Sequence, residues 1–363
     1  MNESNMWKET DEEILQQIPE KLLTWYDKNA RVLPWREDPR PYRVWVSEIM
    51  LQQTRVEAVK PYFERFLKAL PTVEDLAQAP EEQLLKLWEG LGYYNRVRNL
   101  QRGARAVMAE HGGVIPASFE ALKKLPGIGD YTAGAIGSIA FQIPVPAVDG
   151  NVLRVISRVL YRRDNILDTK VKRRIEGEIK EILPERTGDF NQSLMELGAT
   201  VCLPNGAPKC NECPLQELCR AHLVGDEESL PVKTKAKKRK IEQRTVFLLV
   251  CDGKIALRKR PEKGLLARLW ELPSQEGMLG CAEAGKLLQT WGVRTLGELQ
   301  KQTDAKHIFS HVEWHMTCWY VEAALDPDAD VKELIWVSRK ELDQDVALPA
   351  AFKTYRKVIE KIL

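Results

Sequence analysis

Long apolar segments are missing from this sequence. No run of about 18 apolar residues occurs in the 363-residue chain, so no segment is expected to cross a membrane as a helix. The N-terminus, MNESNMWKETDEEIL, is acidic and polar, and it lacks the basic and then apolar order of a secretory signal peptide. These absences predict a cytoplasmic protein.

The chain also lacks an excess of charge of either sign. Its 54 lysines and arginines nearly balance its 52 aspartates and glutamates, so the net charge of +2 indicates no nucleic-acid partner. The distribution is uneven, however, because KTKAKKRKIEQR, residues 233–244, carries seven basic residues and one acidic residue. We interpret it as part of a solvent-exposed linker, 226–244, and leave open whether the linker lies along a phosphate backbone.

Cysteine is sparse and unevenly distributed, which argues against a disulfide scaffold. The seven cysteines are an odd number, and four of them crowd into CLPNGAPKCNECPLQELC, residues 202–219. Cys202, Cys210, Cys213 and Cys219 can together bind zinc or a [4Fe–4S] cluster, because both accept thiolate ligands. Zinc ribbons usually have two separate Cys-x-x-Cys pairs. Only Cys210 and Cys213 form such a pair here, so the spacing favours the iron–sulfur cluster.

Residue patterns divide the chain into a helical part and an α+β part. Between residues 10 and 225 apolar residues recur every three or four positions, as in RVEAVKPYFERFLKAL, which predicts helices. After the linker, RTVFLLVCDGKIALRKR predicts a β-hairpin around Asp252-Gly253, and HVEWHMTCWYVEAAL alternates like a strand. We therefore predict a mainly α domain over 1–225 and a separate α+β domain over 245–363.

A glycine-containing turn between two predicted helices is a candidate phosphate-binding element. In LPGIGDYTAG, within residues 122–136, Gly127 and Gly129 let backbone N–H groups approach a phosphate closely. The helix that opens near Asp130 adds its positive N-terminal end. The same pattern also suits any tight hairpin of two helices, so other residues must decide between the two interpretations.

Two carboxyl groups have surroundings that suit acid and base chemistry. Glu48 lies in YRVWVSEIMLQQT among apolar residues, where a carboxyl resists ionisation and can act as a general acid near neutral pH. The alternative is a surface glutamate on an amphipathic helix. Asp149, in PAVDGNVLRVISR, is compatible with a helix N-cap and with an ionised carboxylate that stabilises a positively charged sugar.

Six segments of the helical part resemble motifs of one enzyme family. LPWR, VWVSEIMLQQTRV, WEGLGYYNRVRNL, LPGIGDYTAG, AVDGNV and NQSLMELGATVC are similar to motifs of the MutY family of adenine DNA glycosylases, in the helix-hairpin-helix, endonuclease III-like superfamily. The resemblance implies a two-lobed helical core, a monomer, and duplex DNA containing A:8-oxoguanine or A:G mispairs as substrate. It further implies a location in the bacterial cytosol, on the nucleoid DNA.

The resemblance also implies two bound inorganic groups. A [4Fe–4S] cluster would bind Cys202, Cys210, Cys213 and Cys219, and a monovalent or calcium-type cation would bind at the helix-hairpin-helix turn. In that family six residues separate the first two cluster cysteines, whereas seven separate Cys202 and Cys210 here.

The resemblance assigns roles to individual residues. Glu48 would protonate adenine at N7, and Asp149 would stabilise or transiently bond the sugar carbon, with Tyr131 and Asn151 supporting these two carboxyls. Tyr131 stands where strand-cutting relatives carry a lysine, and a phenol cannot form a Schiff base, so a monofunctional glycosylase is implied. Further substrate contacts are implied for Arg31, Trp35, Arg36, Leu51 and Gln192 at the adenine, and for Gln53 and Tyr93 in the base stack.

The C-terminal domain resembles a Nudix domain. KRPEKGLLARLWELPS is similar to the start of such a domain, but the following GCAEAGKLLQTWGV lacks the R-E-x-x-E-E type of box that binds divalent metal for hydrolysis. We therefore expect recognition rather than hydrolysis. HIFSH resembles the family loop that contacts 8-oxoguanine, which implies Phe309, Ser310 and His311 as contact residues.

Three alternatives stay open on the sequence. The first is an endonuclease III-like glycosylase and lyase that acts on oxidised pyrimidines. The second is a non-enzymatic DNA-binding protein whose cluster senses redox state, and the third is a nucleotide hydrolase in the C-terminal domain.

Overall fold

The computed structural model describes residues 7–234, 238–324 and 334–363. Residues 235–237 of the predicted basic linker lie outside these ranges. So do Lys332 and Glu333, the first two residues of KELIWVSRKEL, whose sequence predicts a strand that leads into a helix. The chain forms two compact units. Unit 1 comprises Met1–Gln78 and Arg98–Lys235, and unit 2 comprises Ala79–Val97 and Ala236–Leu363.

In the described part of the chain, residues 11–223 are mainly helical, as the spacing of their apolar residues predicts. In chain order these are α1 (Asp11–Asn29), α2 (Pro34–Glu37), α3 (Pro41–Leu51), α4 (Val56–Ala69), α5 (Val73–Gln78), α6 (Glu81–Leu87), α7 (Asn95–His111), α8 (Phe119–Lys124), α9 (Asp130–Phe141), α10 (Gly150–Val159), α11 (Thr169–Glu181), α12 (Thr187–Thr200) and α13 (Arg220–Leu223). Local chemistry sets several starts: Thr10 and Glu13 form a capping box at α1, and Ser118 caps α8. None of the helices in the described ranges combines the length and the apolar character that a membrane crossing needs.

A core of unit 1 lies where α1, α10 and α12 meet. Its buried side chains include Ile18 and Leu22 of α1, Val152 and Ile156 of α10, and Phe190 and Leu194 of α12. Gly134 of α9 has no room for a side chain, because an added Cβ would lie 2.1 Å from the carbonyl oxygen of Pro146. This close approach brings the segment that leads into α10 against α9, and both elements carry candidate site residues.

Unit 2 is organised around a mixed β-sheet. Its strands are β1 (Lys240–Cys251), β2 (Lys254–Lys259), β3 (Trp270–Glu271), β4 (Ser274–Glu276), β5 (Arg294–Thr295), β6 (Gln300–Ile308), β7 (Val312–Ala324) and β8 (Leu334–Ser338). The strand order is β3-β2-β1-β7-β5, with β4 beside β1, β6 beside β7 and β8 beside β2. β1 and β7 pair in parallel, whereas β1–β2 and β6–β7 are antiparallel.

The side chains of β1 alternate between two apolar layers. Val246 and Leu248 join the layer that contains residues of α15 (Arg339–Gln344) and α16 (Lys353–Ile362). Phe247 and Leu249 join the opposite layer, with residues of α14 (Cys281–Thr290). The sheet is therefore covered by helices on both faces, which explains why β1 reads as a continuous apolar run.

The predicted hairpin is confirmed at the junction of β1 and β2. Asp252 and Gly253 have φ angles of 47° and 68°, the left-handed conformation that a two-residue hairpin turn needs, and Cys251 pairs with Lys254. The predicted linker, 226–244, ends too late, because β1 already begins at Lys240, where it pairs with β7.

The boundary predicted for the helical domain, 1–225, also needs correction. Ala79–Val97, which carries α6 and the start of α7, belongs to unit 2. Its apolar spacing predicts helix correctly, but a helical pattern does not identify the surface against which the helix packs.

Candidate active site

Glu48 lies near the end of α3 and is buried. Only 6% of its surface is exposed, and its helical neighbours Trp45, Ile49 and Met50 are buried with it. Burial raises the pKa of Glu48 to about 7, and the negative charge of Asp149 adds to the rise. The expectation that this carboxyl resists ionisation agrees with its position, and the surface-glutamate alternative is excluded.

Tyr131 binds directly to Glu48. It lies in the first turn of α9, and its hydroxyl donates a hydrogen bond to Glu48 Oε2 at 2.7 Å, with Met195 Sδ at 3.3 Å. Burial raises the pKa of Tyr131 well above its ordinary range, and the charges of Glu48 and Asp149 act in the same direction. The phenol is therefore a neutral donor at physiological pH.

Asp149 caps α10. Its Oδ1 accepts hydrogen bonds from the backbone N–H groups of Asn151 and Val152, both at 2.8 Å, and its Oδ2 accepts one from Asn151 Nδ2 at 2.6 Å. Burial raises the pKa of Asp149, while these donors and Arg154 oppose the rise. Burial thus raises the pKa of both carboxyls. Glu48 and Asp149 differ in the number of hydrogen-bond donors that favour the charged carboxylate.

Arg154 continues the hydrogen bonds of Asp149 toward the cysteine segment. Its Nη2 donates to Asn151 Oδ1 at 2.9 Å and to the carbonyl oxygen of Gly198 at 2.7 Å, and its Nε donates to the carbonyl oxygen of Cys202 at 2.8 Å. Gly198 allows this arrangement, because a Cβ there would lie 2.5 Å from Asn151 Cβ. Asn151 is therefore held from both sides.

Arg31, Arg36 and Gln192 meet at a buried carboxylate that the sequence analysis missed. Glu196 is 1% exposed; it accepts from Arg31 Nε at 2.6 Å and from Arg36 Nη2 at 2.8 Å, while Arg36 Nε donates to Gln192 Oε1 at 3.1 Å. Burial alone would raise the pKa of Glu196, but the two guanidinium groups outweigh it and lower the pKa. One signal was available: Gln192 and Glu196 are four residues apart on one helix face.

Trp35 and Leu51 are the other two residues implied at the adenine. Trp35 is buried and packs edge-on against Phe63, with 5.3 Å between ring centroids. Leu51 ends α3, one turn after Glu48, and is partly exposed. Their contact with a base stays a prediction.

The predicted helical hairpin is formed by α8, a turn and α9. Gly127 has φ +81°, and a Cβ there would lie 2.6 Å from Asn99 Cβ, so glycine is required. Gly129 is the N-cap of α9, and an added Cβ would meet nothing within 4 Å. The backbone at the start of α9 is thus open to an approaching group, such as a phosphate.

Gln53 and Tyr93 share an unusual backbone conformation. Gln53 has φ 58° and Tyr93 has φ 49°, in the left-handed region that non-glycine residues seldom adopt. Both side chains are exposed, Tyr93 by 48%. Strained, exposed positions of this kind are enriched at functional sites, so the strain supports a role for each without identifying it.

Phe309, Ser310 and His311 form the turn between β6 and β7. Phe309 is anchored between aromatic rings, with centroid distances of 4.5 Å to His307 and 4.9 Å to Trp314. Ser310 and His311 are exposed at the tip, and Ser310 Oγ lies 3.2 Å from His311 Nδ1. The anchored Phe309 ring thus fixes a turn that exposes the side chains of Ser310 and His311 to solvent.

The four clustered cysteines line one cavity of unit 1, together with Arg158, whose Nη1 lies 3.2 Å from Cys202 Sγ. Burial raises the pKa of Cys210 and Cys213 to about 12 and that of Cys219 to about 11, so thiolates here need a compensating positive charge.

The spacing of the sulfur atoms bears on which metal centre fits the cavity. Across the described ranges, the three ligand atoms that come within 4.8 Å of one another belong to Cys210, His222 and Glu227, not to three of the thiols. A tetrahedral zinc ion with Zn–S bonds of about 2.3 Å would hold its sulfur atoms about 4 Å apart. In the described ranges no three thiol sulfur atoms lie that close together, and the choice between zinc and a [4Fe–4S] cluster stays a prediction.

Comparisons with known proteins cover both units. Residues 46–181 match the family described as "HhH-GPD superfamily base excision DNA repair protein", and residues 245–358 match the NUDIX domain family. The solved structure of a thermostable thymine-DNA glycosylase is similar at a TM-score of 0.54 and 29% identity, covering 58% of this chain and 97% of that one. A trapped endonuclease III–DNA covalent intermediate gives a TM-score of 0.51 at 26% identity, covering 60% and 99%.

Adenine DNA glycosylases are similar over nearly the whole chain. The enzyme of Rattus norvegicus is 36% identical over 94% of this chain and 77% of its own length. That of Homo sapiens is 36% identical over 92% and 72%, and that of Buchnera aphidicola subsp. Baizongia pistaciae is 32% identical over 94% and 95%. This chain therefore belongs to the adenine DNA glycosylases, within the HhH-GPD superfamily of base excision DNA repair proteins.

Proposed function

We propose that this adenine DNA glycosylase removes adenine paired with 8-oxoguanine, or with guanine, from duplex DNA and does not itself cut the strand. The observation that carries the proposal is the grouping of Glu48, Tyr131 and Asp149. It combines a carboxyl that is half protonated near pH 7, a neutral phenol and a second carboxyl with three hydrogen-bond donors. N-glycoside hydrolysis needs an acid for the leaving base and a carboxylate for the positive sugar.

The chemical step follows from these two carboxyls. Glu48 donates its proton to N7 of the extruded adenine, so that the bond between C1′ and the base breaks with its electron pair going to the base. The Asp149 carboxylate stabilises the oxocarbenium-like sugar, either as an ion pair or through a transient covalent bond. Water then adds to C1′, and its proton restores the acid form of Glu48.

Tyr131 explains the absence of strand cleavage in this proposal. Lyase chemistry requires an amine that attacks C1′ and forms a Schiff base, whereas a phenol cannot form an imine. Here the phenol is already engaged with Glu48 at 2.7 Å, so its role is to hold the acid.

Duplex DNA would be held by groups that do not take part in the chemistry. The turn with Gly127 and Gly129 would bind a phosphate with a monovalent or calcium-type cation, and Gln53 and Tyr93 would enter the space left by the extruded base. Residues proposed to surround the adenine are Arg31, Trp35, Arg36, Leu51, Gln192 and, from the geometry, Glu196.

Recognition of 8-oxoguanine is assigned to the β6–β7 turn. Ser310 and His311 offer hydrogen-bonding groups at an exposed tip, and Phe309 holds the turn in place. Unit 2 would thus select the opposite base without hydrolysing nucleotides.

A [4Fe–4S] cluster is proposed on Cys202, Cys210, Cys213 and Cys219. When bound, it would supply four iron–thiolate bonds that tie the 202–219 segment to the core, and a redox-active centre. The residues between Cys202 and Cys210 include a run of bends, residues 204–206, that can absorb one additional residue. Anaerobic purification from iron-replete cells should give a brown protein with about four irons per chain, and a colourless, zinc-loaded product would contradict the assignment.

The decisive experiment measures adenine release from duplexes with A opposite 8-oxoguanine, G or T, before and after hot alkali. We expect release opposite 8-oxoguanine and G, with strand breaks that appear only after alkali. An endonuclease III-like lyase would instead give breaks without alkali, and borohydride would trap a covalent adduct that disappears when a lysine is replaced.

A further inference from the structure

The segment Ala79–Val97 is held by the C-terminal part of unit 2. Glu81, at the start of α6, accepts from Arg268 Nη2 at 2.6 Å, and Glu82 Oε1 lies 3.9 Å from Lys259 Nζ. These surface contacts are individually weak. They show, however, that α6 packs against the Nudix-like fold within one compact unit.

A stronger set of bonds lies at the end of α6. Lys86 Nζ donates to the carbonyl oxygens of Leu342 at 3.0 Å and Val346 at 2.9 Å, and to Glu89 Oε2 at 2.8 Å. The Lys86 and Glu89 side chains are only 17% and 18% exposed. Lys86 therefore satisfies carbonyl groups at the end of α15, and Glu89 compensates its charge.

Glu89 accepts further hydrogen bonds of this set. Its Oε1 accepts from the backbone N–H of Leu348 at 3.0 Å and from Arg356 Nη1 at 2.7 Å, and Arg356 Nη2 also donates to Asp343 at 2.9 Å. We call Lys86, Glu89 and Arg356 the clamp. Bonds of this kind, charged and partly buried, contribute more than exposed ion pairs do.

Glu89 of the clamp lies within the loop that carries Tyr93. This Tyr93 loop, residues 88–94, contains Gly90 with φ 100°, Gly92 with φ 70° and Tyr93 with φ 49°. Its far side is held by Trp88 Nε1 and Arg96 Nη2, which both donate to the carbonyl oxygen of Gly92 at 3.1 Å. The two glycines adopt positive φ freely, so Tyr93 is the strained residue of the loop, and such a residue persists only when its surroundings determine its conformation. Glu89 links this loop to α16 through Arg356.

We propose that Glu89 and Arg356 are positioning residues for base extrusion, which hold the Tyr93 loop in the strained conformation that presents Tyr93 to the duplex. The inference rests on the proposed function, in which Tyr93 enters the base stack. Arg356, on the last helix of the Nudix-like part, would thus affect extrusion of the adenine without contacting DNA. Loosening the clamp would let Tyr93 relax from its left-handed conformation and would lower the fraction of loops ready for insertion.

The test compares single-turnover adenine release and the fluorescence change of 2-aminopurine placed beside the mispaired adenine, which follows extrusion. Glu89→Gln keeps the shape but loses the charge, and we expect both signals to slow about tenfold, as for the loss of one charge-assisted hydrogen bond. Arg356→Lys keeps the charge but cannot bridge Glu89 and Asp343 as the guanidinium does, so it should slow both signals less than Glu89→Gln does. Arg339→Gln serves as a control, because Arg339 lies 3.8 Å from Asp343 on the same helix pair but does not touch Glu89.

Epistasis with Tyr93 decides between positioning and a general loss of structure. In a Tyr93→Ala chain, Glu89→Gln should slow the fluorescence change no further, because the side chain on which the clamp acts is gone. An equal, additional slowing in that background, or normal extrusion by Glu89→Gln with an unchanged melting temperature, would overturn the inference. If the parent chain releases no adenine opposite 8-oxoguanine, the proposed function fails instead, and the two failures are distinct.

Discussion

Replacement of Glu48 by glutamine should abolish adenine release and, at the same time, stabilise unit 1 at alkaline pH. The folded-state pKa of Glu48, about 7, lies above its ordinary value of 4.5. The stability contributed by this group is therefore fully present below pH 4.5 and is lost as the pH rises through 7. At 1.36 kcal/mol per pKa unit, the loss amounts to about 3 kcal/mol by pH 8. Glutamine fits the same space, stays neutral at every pH and avoids the loss.

Urea unfolding of parent and Glu48→Gln chains at pH 4.5 and pH 8 measures this difference. We expect nearly equal free energies of unfolding at pH 4.5, and at pH 8 an advantage of about 3 kcal/mol for the variant, or a rise in Tm on the order of 10 °C. Glu64→Gln, at an exposed position of α4, is the matched control and should change neither value. A variant that is less stable than the parent at pH 8, or equally displaced at both pH values, would refute the argument from burial.

Three further predictions concern the chemistry and the choice of substrate. Asp149→Asn should reduce adenine release by at least about a hundredfold while the Kd for a mispaired duplex changes little, because phosphate binding uses other groups; a parallel loss of DNA binding would contradict this separation. Tyr131→Phe removes a hydrogen bond that lowers the pKa of Glu48. The alkaline limb of the pH–rate profile, near pH 7 in the parent, should therefore move to higher pH. A shift to lower pH would contradict the donor role. Combined Ser310→Ala and His311→Ala replacements should reduce the preference for 8-oxoguanine over G by about tenfold, the value of one or two hydrogen bonds, in competition assays; an unchanged ratio would count against the assigned turn.

Properties that depend on neighbours along the chain were predictable. The apolar residues beside Glu48 indicated its resistance to ionisation, and Asp252-Gly253 indicated a hairpin, because the conformation of a tight turn is encoded in two residues. The resemblance of six motifs also predicted the family, which the comparisons confirm. The crowding of the cysteines likewise predicts a metal centre, because four thiols within 18 residues can bind one compact group.

Properties that depend on segments distant in the chain needed the three-dimensional arrangement. Glu196 was overlooked because its partners Arg31 and Arg36 lie about 160 positions earlier, and no local pattern pairs them. The rise in the pKa of Asp149 comes from burial, which depends on how the surrounding helices close over it.

The amino-acid sequence alone determined the helical character of residues 10–225, the hairpin at Asp252-Gly253 and the candidate residues for the chemistry, among them a phenol, which cannot form an imine. These follow from short-range rules of backbone geometry and from the reactivity of single side chains. The fold decided which groups meet. Tyr131 contacts Glu48, Arg154 supports Asn151, and Ala79–Val97 packs with the Nudix-like fold. Burial and hydrogen bonding act through space, so the strength of the acid and the hold on the Tyr93 loop arise only once the chain is packed.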